Sequence, residues 1–151
     1  MFSFFKNLIN IEELNLNFPF FRKKRLNKTN TNILFIDDED FPIISNLRRA
    51  GWSVECLRDL RNPQDESIVR AHIIFVDFKG VGKYISETDE GIGVIRLIKS
   101  TYGRSKRVIL YSGYGRFNLG MDMQIADNQM SKNSDTYQFI SMIESELKKI
   151  K

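Results

Sequence analysis

The sequence predicts an α/β fold, a parallel sheet with helices packed on both faces. Three observations predict it. Short apolar runs recur at residues 33–36, 73–76 and 108–111, with further strand candidates at 52–57 and 128–131. Patterns of helical period fill the intervals between them. Several of the runs are apolar at every position, as strands covered on both faces are. Strand and helix alternating five times argues for a doubly wound parallel sheet with right-handed crossovers.

Each element has its own local signal. Pro42 suits the first turn of a helix and Gly51 its stop, with Ile44, Leu47 and Ala50 facing inward. Asn62-Pro63 is expected to open a second helix, with Asp65 and Glu66 set against its dipole. Residues 91–102 place Ile92, Ile95 and Ile98 on one face. A weak pattern over 113–125 predicts a short or irregular fourth helix. The last helix, over 134–151, carries Phe139, Ile143, Leu147 and Ile150 as its buried stripe.

The 151 residues suit one domain and a short extension, and 42% hydrophobic with 28% charged residues is globular composition. No apolar run approaches the roughly 20 residues that cross a bilayer. One cysteine, Cys56, makes no intramolecular disulfide, and with the single His72 it makes no zinc finger. Both are expected to be packed or partly packed strand residues. A Ser-His-Asp hydrolase would rest wholly on His72.

The net charge of +4 is local. Residues 1–32 hold six basic and two acidic side chains, leaving 17 of each sign in the remainder. The domain therefore has no broad cationic field, and no specific nucleic-acid partner is expected. Residues 1–31 form the expected extension and 32–151 the domain. Six of the twelve phenylalanines lie before residue 22, a short amphipathic helix fits residues 2–14, and a basic cluster follows at 22–25. Docking on a partner or on the chain itself is favoured for this extension. Membrane contact through residues 1–28 is the competing expectation.

Ligands of a doubly wound sheet bind beyond the carboxyl ends of its strands. The run 33–36 ends at Asp37-Asp38-Glu39, 73–76 at Asp77, 108–111 at Ser112, and 128–131 at Lys132. One rim thus collects carboxylates, a hydroxyl and an ammonium. Clustered carboxylates repel unless a cation neutralises them, and a hard divalent ion such as Mg²⁺ takes oxygen ligands. One carboxylate can then act as a nucleophile towards phosphorus, where positioning and neutralisation carry most of the catalysis.

These residues, in this order, resemble the receiver domain of bacterial two-component response regulators. The matching pieces are Ile33-Leu34-Phe35-Ile36-Asp37-Asp38-Glu39, Ile74-Phe75-Val76-Asp77, Val108-Ile109-Leu110-Tyr111-Ser112-Gly113, and Ala126-Asp127 through Met130-Ser131-Lys132. The resemblance spans residues 32–151. It implies a flavodoxin-like receiver fold with strand order 2-1-3-4-5. It implies Asp77 as phosphoacceptor, Asp37, Asp38 and Asp77 with the Lys79 backbone carbonyl around Mg²⁺, and Ser112 and Lys132 on the phosphoryl group. The implied donor is a sensor histidine kinase or phosphotransfer protein. Output would run through a downstream protein partner or self-association, in a cytoplasmic, stand-alone regulator that is no enzyme beyond slow autodephosphorylation.

Three positions depart from the family pattern. Asn133 stands where a proline usually follows the lysine, so a trans bond is expected there. Gln129 stands where the switch aromatic usually lies. The loop after Asp77 runs from 78 to 90, several residues longer than the norm, and is expected to be a lid or a partner contact; its Gly80-Val81-Gly82 reads as loop flexibility. Gln129 and Asn133 favour the alternative of a degenerate receiver, a binding module that signals without phosphorylation. A phosphatase using the same rim is a further rival, weakened by the lack of a second general acid near Asp77.

Overall fold

The computed structural model describes residues 24–113 and 125–150. Five parallel strands form one sheet: β1 (Asn32–Ile36), β2 (Ser53–Leu57), β3 (Ile73–Asp77), β4 (Arg107–Ser112) and β5 (Asn128–Ser131). Their spatial order is β2-β1-β3-β4-β5, as the resemblance implies. Among the described residues four α-helices accompany them: α1 (Pro42–Arg49), α2 (Glu66–Arg70), α3 (Glu90–Tyr102) and α4 (Thr136–Leu147). The amphipathic stretch 2–14, the basic residues 22 and 23, and most of the weakly patterned segment 113–125 lie outside the described residues. No described helix is long and apolar enough to cross a membrane.

Strand alternation divides the core in two. Leu34, Ile36, Ile74, Val76, Val108 and Leu110 meet Ile68 of α2 and Ile92, Ile95 and Ile98 of α3. Ile33, Phe35, Ile73, Phe75, Ile109 and Tyr111 meet Ile44 and Leu47 of α1 and Phe139 and Ile143 of α4. The second core is aromatic. Phe35 and Phe75 stack with ring centroids 4.5 Å apart, and Tyr111 meets Phe35 edge-on at 5.6 Å. Such pairs stabilise beyond their area by about 0.5–1.5 kcal/mol each.

Several boundaries differ from the sequence reading, each for a local reason. The second helix begins at Glu66 instead of Asn62. The Asp65 N–H donates to the Asn62 carbonyl at 3.0 Å and the Gln64 N–H to Asn62 Oδ1 at 2.8 Å, so Asn62-Pro63 makes a turn. Asp65 then caps the helix by accepting from the Ser67 N–H. Trp52 precedes β2, because its N–H closes the end of α1 on the Leu47 carbonyl. The terminal helix runs to Leu147; Phe139 and Ile143 are fully buried, whereas Leu147 and Ile150 are half-buried. Ala50 is half-buried as well.

Cys56 is exposed on the edge strand β2, contrary to the packed or partly packed position that the sequence predicts. His72 is half-buried just before β3, and its Nδ1 accepts the Asn32 N–H at 3.0 Å. Burial, with the Lys106 charge, holds its pKa below the usual histidine value.

The loop after β3 is pinned instead of loose. Val81 is fully buried in the first core, and the Asp59 carboxylate accepts the Gly82 N–H at 2.6 Å and the Lys83 N–H at 3.2 Å. Tyr84 lies on the Arg61 guanidinium, 4.3 Å from ring centroid to cation. The reading of Gly80-Val81-Gly82 as flexibility is corrected accordingly. At the loop's end, Gly91 lies so close to β3 that an added Cβ would fall 2.0 Å from the Asp77 carbonyl oxygen.

The amino end of the sheet carries buried charge that the hydrophobic stripe did not announce. Glu146 of α4 is fully buried and accepts from Arg107 at 2.6 Å, Asn128 at 3.1 Å and Lys149 at 2.9 Å. Asp127 pairs with Lys99 at 2.9 Å and Arg107 at 3.4 Å, and accepts the Val108 N–H. Lys106 donates to the carbonyls of Val69 and Ala71 at the end of α2.

Two outcomes follow from this packing. Gly91→Ala is expected to destabilise the fold by about 1–3 kcal/mol, the usual cost of overpacking against backbone, read as a lower urea midpoint. Glu146→Ala removes one of the two carboxylates on Arg107 and the partner of Asn128, with an expected loss of about 1–3 kcal/mol in the same denaturation.

Candidate phosphoryl-acceptor and metal site

The sheet register assembles the site. Ile33 of β1 pairs with Ile73 of β3 and Phe35 with Phe75, so Asp37, one step past β1, arrives beside Asp77. Asp77 in turn pairs with Tyr111, and Tyr111 with Met130. Side chains two residues apart share a face. The row Asp37–Asp77–Tyr111 therefore lies on the aromatic side of the sheet, at its carboxyl end. Ser112 pairs with Ser131, and the Lys132 N–H donates to the Ser112 carbonyl at 2.8 Å, which fixes where the lysine leaves the sheet.

Asp37, Asp38 and Asp77 each offer an oxygen, and the three oxygens lie within 4.8 Å of one another. Asp37 is fully buried, Asp77 nearly so, and Asp38 exposed. Lys132 Nζ bridges the two buried carboxylates, 2.8 Å from Asp37 Oδ2 and 2.8 Å from Asp77 Oδ2. Its ammonium also lies 5.0 Å from the Tyr111 ring centroid and 5.8 Å from that of Phe41. The peptide after Lys132 is trans, since no cis bond occurs among the described residues. The lysine still reaches, because the Asn133 N–H is held by Ser131 Oγ at 3.1 Å and the Ser134 N–H by the Ser131 carbonyl at 3.1 Å.

Sequence reasoning missed Tyr111 as a member of the site. Its hydroxyl donates to Asp37 Oδ2 at 2.6 Å. The signal was present: a tyrosine at the last turn of a fully apolar strand needs a partner for its hydroxyl. Gly80 was read only as loop. Its φ is +83°, and an added Cβ would stand 2.4 Å from the Asp38 carboxylate, so glycine clears the space that carboxylate occupies. Lys79 lies two residues past Asp77; its N–H reaches Asp77 Oδ1 at 3.4 Å and its Nζ pairs with Glu90 at 3.6 Å. Ser112 is buried at the same rim, and Gln129 is exposed on β5. Glu39 and Asp40 lie between β1 and α1, outside the cluster.

The two buried acids are unequal. Burial pushes the Asp77 carboxyl up to about 6; the Lys132 ammonium opposes that push, and the charge on Asp37 adds to it. Burial acts on Asp37 as well, but hydrogen bonds from Lys132, Tyr111 and the Glu39 N–H outweigh it and hold that carboxyl below the usual range. Burial lowers Lys132, and its two carboxylates more than restore it, so it stays charged. Burial first, then the Asp37 contact, drive Tyr111 well above an ordinary phenol, so it remains a donor.

This donor set fits a hard divalent cation. The ligand atoms are all oxygens, two carboxylates have been removed from water, and Asp38 stands where the cluster meets solvent. One lysine against three carboxylates also leaves negative charge that a cation would neutralise.

Among solved structures, the chain is similar to response-regulator receivers. A response regulator from Thermotoga maritima aligns over 78% of this chain and 98% of its own, with 16% identity and a TM-score of 0.59. A CheY-like receiver domain protein from Methanospirillum hungatei JF-1 aligns over 78% and 94%, with 18% identity and a TM-score of 0.58. NtrX from Brucella abortus, solved with ATP, aligns over 79% of this chain at 18% identity and a TM-score of 0.62; the chain spans about a quarter of NtrX, 27%. No protein-family model matches the chain, and no curated protein matches it. The likeness establishes the fold: this chain has the fold of a receiver domain, β2-β1-β3-β4-β5 with flanking helices.

The raised Asp77 carboxyl sets a pH dependence. Between about 3.8 and about 6 the folded chain keeps a proton that the unfolded chain has released, so stability falls as pH rises through that window. Asp77→Asn removes this loss. Without divalent cations, the variant is expected to exceed the wild type by about 1–3 kcal/mol above pH 6 and to match it below about pH 4, read by denaturant melts across pH.

Proposed function

We propose that this chain is a response-regulator receiver that accepts a phosphoryl group on Asp77 in a Mg²⁺-dependent reaction. The supporting observation is the convergence at one rim of Asp37, Asp38 and Asp77 with Lys132, which reaches both buried carboxylates. Low-identity structural likeness supplies the fold, and the rim supplies the chemistry.

An Asp77 carboxylate oxygen attacks phosphorus of a phosphohistidine on a kinase or phosphotransfer protein. The O–P bond forms as the P–N bond breaks, and the electron pair returns to the imidazole nitrogen. The product is an acyl phosphate. Asp37 and Asp38, with the Lys79 backbone carbonyl, would hold Mg²⁺, which when bound neutralises the carboxylates and the incoming phosphoryl oxygens. Lys132 can give up its contact with Asp77 Oδ2 and pair with a phosphoryl oxygen from the same position. Ser112, buried at the same rim, would offer a hydroxyl to another oxygen. The chain is a phosphoacceptor and not an enzyme, with loss of the group to water as its only turnover. Residues 1–31 form the extension to this domain, and the setting is a cytoplasmic relay to a downstream protein.

Acetyl phosphate with Mg²⁺ is expected to add one phosphoryl group, detected by intact mass and by its lability to mild base. Asp77→Asn is expected to abolish the gain, and Lys132→Ala to slow it by about 10–1,000-fold, as loss of one charge-stabilising donor does. No mass gain on the wild type, with the fold intact, leaves the phosphorylation-independent binding module as the better reading.

A further inference from the structure

The resting site contains a group with no part in the phosphoryl chemistry above. Tyr111 sits on β4, and its hydrogen-bond partner Asp37 follows β1, with β3 between them. Adjacent strands lie about 4.8 Å apart, so the two backbones are separated by roughly 10 Å. Few side chains other than a phenol span that gap while keeping their stem apolar. The ring is fixed on several sides, edge-on to Phe35 at 5.6 Å, Phe75 at 6.1 Å and Phe139 at 6.5 Å. The hydroxyl has little freedom to point elsewhere.

The consequence falls on Asp37. A carboxylate oxygen offers two lone pairs. Asp37 Oδ2 accepts from Tyr111 at 2.6 Å and from Lys132 at 2.8 Å, and is filled. Among the described residues, Oδ1 accepts the Glu39 N–H at 3.0 Å, which leaves one lone pair. We propose that Tyr111 is a positioning residue for the cation: its hydroxyl locks the Asp37 carboxylate so that Oδ1 alone faces a divalent ion or its water. The inference rests on the Mg²⁺ reading above and deepens it.

Rigid placement matters unequally to different ions. Mg²⁺ demands near-ideal octahedral geometry at about 2.1 Å, whereas Ca²⁺ tolerates irregular, flexible ligands. A lock on one carboxylate therefore favours Mg²⁺ over Ca²⁺. Groups that orient a metal ligand from behind typically contribute about 10–100-fold in metal affinity.

Calorimetric titration of the full chain with Mg²⁺ alone and Ca²⁺ alone tests this on the wild type and on Tyr111→Phe, which keeps the ring. Mg²⁺ affinity is expected to fall about tenfold in the variant, and Ca²⁺ affinity to fall less, so the ratio of the two drops. Equal affinities in variant and wild type overturn the proposal, as does a parallel loss for both ions alongside a lower melting temperature. A wild type that binds no Mg²⁺ overturns the metal reading itself and this inference with it. Should the variant fail to fold, the ring Cζ resonance of Tyr111 in the wild type decides. A shift on saturation with Mg²⁺ supports the lock, and an unmoved resonance removes it.

Discussion

Two carboxylates buried side by side are the constraint around which the rest of the structure is arranged. Left alone, they would repel each other and forfeit their hydration. Lys132 relieves both at once, with one ammonium 2.8 Å from each. That contact exists only because β4 and β5 hold a fixed register, with the Lys132 N–H on the Ser112 carbonyl. A one-residue slip of β5 would carry the lysine to the other face. The parallel sheet thus acts as the ruler that brings residues 37, 77, 111 and 132 together from four segments of chain.

The same register explains why the acids differ. Asp37 sits in the middle of three donors, so its charge is satisfied. Asp77 has the shared lysine and one long contact from the Lys79 N–H, and burial dominates. An acid that is partly protonated near neutral pH when metal-free, and next to a cluster able to take a cation, has a protonation state that cation binding controls. The raised Asp77 carboxyl and the oxygens gathered around it are therefore both set by the sheet geometry.

The strands were legible because their chemistry is repetitive. Residues 33–36, 73–76 and 108–111 are apolar at every position, and burial on both sheet faces leaves no other composition for them. Asp37, Asp38, Asp77 and Ser112 were legible because each stands at the end of such a run, where a parallel sheet gathers its polar ends, and Lys132 because it follows the short fifth strand at the same rim. What stayed hidden depends on neighbours that are distant in sequence. Glu146 reads as an exposed helix acid until Arg107 and Asn128 are placed against it. Tyr111 reads as a core aromatic until the register brings it level with Asp37. Asn62-Pro63 reads as a helix start, yet Asp65 is the stronger cap three residues on. The long loop reads as mobile because its anchor, Asp59, lies in a different connection.

The positions that depart from the family pattern rearrange the site without dismantling it. Asn133 leaves the lysine's strand to end on a turn held by Ser131 Oγ, and the ammonium still arrives between both carboxylates. Gln129 is exposed at the sheet edge, so no aromatic ring on β5 faces the rim there. The ring beside the lysine comes instead from β4, as Tyr111, and from the segment after β1, as Phe41. Both rings pack on Phe139 of α4, at 6.5 Å and 5.6 Å. A displacement of the ammonium towards a new anion would be felt first by these two rings, and through them by α4. The aromatic core beneath the site, and not the outer edge of β5, is the part of this molecule mechanically closest to its charge.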